Sequence, residues 1–179
     1  TGMTLKEVQD DPHKAHTLYD AVKQNIMLYD STGKDMPWVE SVCKSYKPDI
    51  VVLDMGDKFA NFGGFSRPDE ALKANAIYAR QIAKEYGCAI FYMSQLNAEA
   101  EGRVNLDQSM MEGSRTGKAA EADLMILIAK SPQTSNNSSD AEVAEDDGFR
   151  HLVLAKNKLT GWHGRIVCEF NYLTGRYEA

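Results

Sequence analysis

The stretch that most constrains the fold is KPDIVVLDMGDK, residues 47–58. Ile50 to Leu53 are four apolar residues in a row with no polar alternation. That is the pattern of a short strand covered on both faces, as in a parallel sheet. Pro48 and Asp49 punctuate its start, and Gly56 turns the chain just after it. The strand ends on Asp54. Open α/β sheets bind ligands beyond the carboxyl ends of their strands, so a carboxylate there is a candidate binding group. The pattern alone fixes no chemistry, because a fold does not imply a function.

The segments around this strand extend it into an α/β arrangement. Asp11 and Pro12 open a helix to about Gln24, with Ala15, Leu18, Tyr19 and Val22 on one face. Ile26 to Tyr29 reads as a short strand, and Ser31 to Asp35 as a turn. Pro37 opens a second helix whose Trp38, Val39, Val42, Cys43 and Tyr46 share a face. After Asp54 a glycine- and phenylalanine-rich loop leads to Pro68, which opens a long helix to Tyr86. Gly87 stops that helix in the left-handed manner. Cys88 to Met93 is the next apolar strand, and it ends on Ser94 and Gln95. A polar loop, Leu96 to Gly113, leads through a helix from Ser114 to about Ala122 into a strand from Asp123 to Ala129. Helices alternating with strands predict parallel strands joined by crossovers. The tail changes style. Arg150–Asn157, Gly164–Phe170 and Arg176–Glu178 read as antiparallel strands joined by Gly-containing turns. Between core and tail, residues 131–148 are rich in Ser, Asn, Asp and Glu, the composition of a mobile acidic excursion. The expectation is one domain over residues 1–179, a parallel α/β core with an antiparallel extension.

Composition excludes several classes. A net charge of −6 argues against a general polyanion binder, so any nucleic-acid contact must be local. The three cysteines are widely spaced, form no CxxC, and fit a reducing, intracellular setting. The four histidines lack metal-ligand spacing with them. No apolar run reaches the ~20 residues of a membrane span, and no signal peptide opens the chain.

Phosphate chemistry needs a cradle, and the pattern GxxxxGK[ST] does not occur. Gly113 to Lys118 has the wrong spacing and does not follow a strand. Ser31 to Lys34 follows a strand but has Leu28 where the first glycine belongs. The remaining residues suit the second half of a nucleotide-hydrolysing core. Asp54 could hold Mg²⁺ beside a nucleotide's phosphates. Gln95 could hydrogen-bond the terminal phosphate or the attacking water and relay nucleotide state to the following loop. Ser94 and Gln95 could equally be plain strand caps. Lys156 and Lys158 on the tail are either solvated charge or groups that reach a neighbour's phosphates.

VVLDMGD, FYMSQLN, MEGSRTGKAAEADLMILIAK and LVLAKNKLTGWHGRIVCEFNYLTGRYE, in that order, resemble the motifs of DnaB-like replicative helicases. The likeness is greatest to the helicase half of phage primase–helicases, and it covers about Ile26 to Glu178. The resemblance implies a RecA-like P-loop NTPase core with antiparallel C-terminal strands, incomplete at its N-terminus, with the phosphate loop and catalytic glutamate upstream of Thr1. It implies ATP and Mg²⁺ as cofactors, a hexameric ring, single-stranded DNA as substrate, primase and replisome proteins as partners, and a cytoplasmic setting. By position, Asp54 resembles the Mg²⁺-linked acid and Gln95 the γ-phosphate sensor. Lys158 falls where the family places its arginine finger, and Lys156 on the accompanying basic residue. A lysine there lacks the planar fork of arginine. The loop from Leu96 to Gly113 resembles the one that lines the central channel. DNA-backbone contacts would rest on Arg103, Asn105, Gln108, Ser109, Arg115 and Lys118.

Three other readings remain open at this level. One is a RecA-like recombinase or strand-annealing ATPase. A second is a metal-dependent phosphoesterase built on Asp54 and Asp57. The third is a non-catalytic, ring-forming or DNA-contacting module.

Overall fold

The computed structural model of the chain describes residues 2–113, 117–130 and 148–178. Two short helices come first, α1 (Leu5–Asp10) and α2 (Pro12–Asp20). The sequence reading missed α1. Its signal is a capping box, in which the Glu7 amide donates to the Thr4 hydroxyl and the Thr4 amide to the Glu7 carboxylate. Asp11 caps α2 as expected, accepting from the Lys14 amide at 2.9 Å. The helix stops at Asp20, and Lys23–Asn25 form a separate 3-10 turn. Ile26 to Tyr29 is extended but pairs with no strand among the described residues, and Leu28 is 87% exposed. An apolar run of four records an extended preference. It does not record whether a partner edge lies within reach.

The next elements follow the sequence closely. Helix α3 (Met36–Tyr46) starts at the Asp35 cap and buries Met36, Val39 and Cys43. Strand β1 (Ile50–Leu53), helix α4 (Pro68–Tyr86) and strand β2 (Ala89–Tyr92) form a crossover unit. Gly87 closes α4 with φ +67°, a conformation open to glycine at little cost. β1 and β2 pair in parallel, Ile50 with Ala89 through Leu53 with Tyr92.

Helix α5 (Gly117–Glu121) leads into β3 (Leu124–Lys130), followed by β4 (Phe149–Asn157), β5 (Gly164–Asn171) and β6 (Arg176–Glu178). Here the structure departs from the expected single core. β3 does not pair with β1 or β2. It heads a separate four-stranded antiparallel sheet in the order β3-β4-β5-β6, with a bulge at Met125/Ile126. Element order restricts which strands can run parallel, but it does not name hydrogen-bonded neighbours.

Two apolar clusters result. One joins Met36, Val39 and Cys43 of α3, Leu53 of β1, Ala79 and Ile82 of α4, and Cys88. The other joins Leu106, Met110 and Met111 of the long loop to Ala119 and to Met125, Leu127 and Ala129 of β3. Each sheet is covered on one face only. On the other, Ile50, Val52, Phe91, Leu124, Ile126 and Ile128 lie between 45% and 60% exposed. The expectation that β1 is buried on both faces therefore fails within the described residues. The expected acidic excursion falls on residues 131–147, which lie outside them, as does Arg115.

Candidate functional site

Parallel pairing places the ends of β1 and β2 side by side. The Met93 amide donates to the Leu53 carbonyl at 3.1 Å, and the Gly56 amide donates back to the Met93 carbonyl at 2.9 Å. The turn after Asp54 is thus fastened to the end of β2. The Asp54–Met55 peptide is cis. Gly56 is required by a close approach, because a Cβ there would lie 2.5 Å from the Tyr92 ring. Above this edge Asp54 and Gln95 are both exposed, and Asp54 forms no ion pair among the described residues. The two groups predicted to share a site therefore stand on adjacent strand ends, open to a ligand.

Beneath them is a polar cluster that sequence reasoning missed. Lys118, buried at 4% exposure, points inward from α5. Its ammonium donates to both Asp57 oxygens, at 3.0 and 2.8 Å, and to the Ser94 hydroxyl at 2.7 Å. Ser94 in turn donates to Asp57 at 2.5 Å. Three ammonium donors thus meet three acceptors, which offsets the desolvation of a buried charge. Burial, and then the Asp57 charge and hydrogen bond, push the Tyr92 phenol well above its ordinary pKa. Its hydroxyl is buried without a hydrogen bond among the described residues. Lys118 was expected on the DNA-contacting surface, and its burial corrects that assignment. The sequence signal was misleading because GSRTGK looks like an exposed basic turn.

The long loop is pinned at both feet. Leu96 bridges Met111, the Asn97 amide donates to the Met110 carbonyl at 2.8 Å, and the Glu112 amide donates to the Gln95 carbonyl at 3.1 Å. Its expected DNA-contacting residues divide. Arg103 is exposed on the loop. Asn105 accepts from Arg165 at 3.1 Å, while Gln108 donates to the Ala155 carbonyl at 2.9 Å. Ser109 bonds to Asp107 through both its amide and its hydroxyl. Gln108 and Ser109 thus already hold the loop in shape. An open groove of about 800 Å³ lies between this loop and the β4–β5 edge, lined in part by Asn105, Gln108, His163 and Arg165. His163 and Arg165 were not singled out by the sequence.

The tail lysines turn back onto the C-terminal end of α5. Lys156 donates to the Ala119 carbonyl, and Lys158 to the Ala120 carbonyl at 3.1 Å. Burial, and next the neighbouring Lys158, lower the Lys156 pKa. Lys158 and Arg80 both contact Asp123, at 3.4 and 2.9 Å. Partial burial works to raise the Asp123 pKa, but hydrogen bonds from Arg80 and Lys158 outweigh it. Both lysines are thus engaged at α5, away from Asp54 and Gln95, and a role at that edge of the same chain has no geometric support.

The donor set distinguishes the metal readings. Magnesium commonly binds through one or two carboxylates together with substrate phosphates and water. Asp54 fits that pattern as a single open carboxylate. Asp57 does not, since Lys118 already neutralises it. The two-carboxylate phosphoesterase reading is thereby corrected. Among the described residues no group of three or more His, Cys, Asp and Glu could hold a metal by itself. Neither decoy turn forms a phosphate cradle, and the lysine of GSRTGK is committed to Asp57.

No family model matches the chain, and no curated protein matches it by sequence. Solved structures do match. One, described as a DnaB-like replicative helicase and its interactions with primase, superposes with a TM-score of 0.76 at 17% identity. The match covers 94% of this chain and 41% of that one. Another, the ATPase domain of a helicase, superposes with a TM-score of 0.77 at 16% identity, covering 98% of this chain and 65% of that one. The fold is similar to helicase ATPase domains. The chain spans 41% and 65% of these two structures' lengths. No described helix is long and apolar enough to cross a membrane.

Proposed function

We propose that this chain is the C-terminal part of a RecA-like motor domain from a DnaB-like, phage-type replicative helicase. In the complete protein it couples ATP hydrolysis to movement on single-stranded DNA. The observation that carries this reading is the open pair Asp54 and Gln95 on adjacent parallel strand ends, in a fold similar to helicase ATPase domains. The phosphate-binding loop and catalytic glutamate lie upstream of Thr1. The uncovered apolar faces of both sheets support a further layer of chain packed there.

Bound Mg²⁺ would supply charge neutralisation at the nucleotide's phosphates. Asp54 holds it. The Gln95 amide donates to the terminal phosphate or orients the attacking water, and its backbone carbonyl ties the same residue to the foot of the loop. Arg103, with Asn105 beside it, offers the loop's contact to a DNA phosphate. Lys156 and Lys158, at the edge formed by α5 and β4, serve the site of the next subunit in a hexameric ring. Primase is a partner by analogy with the DnaB-like helicase described with it.

The test is ATP turnover by the complete protein, with and without single-stranded DNA. Asp54→Asn should lower kcat on the order of a hundredfold, the worth of losing a few kcal/mol of charge stabilisation. Unchanged turnover would sink the assignment. Turnover without duplex unwinding would favour a strand-annealing ATPase.

A further inference from the structure

The buried lysine under the candidate site touches three separate pieces of chain. Asp57 belongs to the turn that follows Asp54. Ser94 sits between β2 and Gln95, at the entrance of the loop. Lys118 stands on α5, just past the loop's exit. One ammonium therefore joins the acidic turn to both feet of the loop. Its neighbours on α5, Gly117 and Ala119, are also buried, so the helix has little room to slide without moving the ammonium.

The path from there to the open site is short and continuous. The Asp57 turn is fastened to β2 by the Gly56 amide. Ser94 adjoins Gln95, whose carbonyl receives the Glu112 amide from the loop's other foot. Beyond that foot, Leu106, Met110 and Met111 lock the loop onto β3. A displacement of Gln95 toward a phosphate thus moves Ser94 and loads the ammonium. The ammonium then transmits the shift to α5 and the loop exit. An apolar contact would tolerate such a slide. A charge with every donor filled would not, because a displaced partner leaves an unpaired buried charge.

We propose that Lys118, with Asp57 and Ser94, is a positioning unit that couples nucleotide state at Asp54 and Gln95 to the DNA-contacting loop. It rests on the motor reading above. Lys118 touches neither nucleotide nor DNA in this scheme. It acts through the two loop feet.

The experiment uses the complete protein, ATP and a single-stranded oligonucleotide. Two variants are compared with wild type. Asp57→Asn/Lys118→Met removes both charges and keeps most of the volume. Ser94→Ala removes one link and leaves the ion pair. For each, KM and kcat are measured without DNA, and the ratio of DNA-stimulated to basal turnover is taken. The thermal midpoint is recorded alongside. A purely structural role would lower stability or active fraction and leave that ratio unchanged. Coupling residues typically change coupling enough to lower the ratio roughly 2- to 30-fold. The double variant should fall toward the larger end and Ser94→Ala toward the smaller, with KM for ATP little changed. If the double variant does not fold, Ser94→Ala decides: a reduced ratio supports the unit. An unchanged ratio in every folded variant overturns it while leaving the motor reading standing. Wild-type protein that does not hydrolyse ATP overturns both.

Discussion

A charge buried in a protein interior is tolerated only when its partners are complete, and Lys118 meets that condition. Its three donors meet Asp57 and Ser94 at 2.7–3.0 Å. Removing the ammonium alone leaves Asp57 buried without its counter-charge, so Lys118→Ala should destabilise by about 3–5 kcal/mol. Replacing both partners with uncharged residues of similar volume should cost far less. Urea unfolding of the two variants checks this, and equal losses would mean that the pair's shape matters more than its charge. Asp54 was legible in the sequence because a carboxylate after four apolar residues has a fixed place at a strand end. Lys118 was not. Its inward direction depends on where α5 packs, and a basic residue in a Gly-Ser-Arg-Thr run reads as solvated until that packing is known.

At the scale of elements, the long loop behaves as a packed piece of structure. Its polar composition predicted a surface excursion, yet Leu106, Met110 and Met111 are nearly inaccessible against β3. Those three residues are scattered among Asn, Asp, Gln and Ser, so neither a helical nor a strand period announces them. Leu106→Ala should cost about 2–5 kcal/mol, as deletions in a packed core do. It should also open the loop to proteolysis before the rest of the chain unfolds. Limited proteolysis of wild type and variant tests this. Cleavage in the loop at equal rates would show that the contacts do not hold it. Helices α3 and α4 and strands β1 and β2 were legible because caps, glycine stops and apolar periods agreed along each. The antiparallel pairing of β3 was not, since its alternating exposed and buried residues fit a strand in either kind of sheet. Only the long-range register with β4 separates the two.

The whole molecule presents an imbalance that its parts do not. β1 and β2 are a two-stranded sheet, marginal unless packed on something. α3 and α4 cover one side, and Ile50, Val52 and Phe91 remain open on the other. The antiparallel sheet repeats the pattern with Leu124, Ile126 and Ile128. Monomeric proteins seldom leave contiguous apolar patches larger than a few hundred Å² exposed. In the proposed motor, the upstream phosphate-binding half covers these faces, and one layer would serve both sheets. The chain alone should therefore bind an environment-sensitive apolar dye strongly and self-associate as its concentration rises. The complete protein should bind much less dye per copy of this domain. Val52→Lys and Ile126→Lys should make the isolated chain more soluble, yet destabilise the complete protein, because a charge tolerated in water is costly under a packed layer. Equal dye binding by the two forms, with both substitutions harmless in the complete protein, would mean that the faces stay open and that the missing half packs elsewhere.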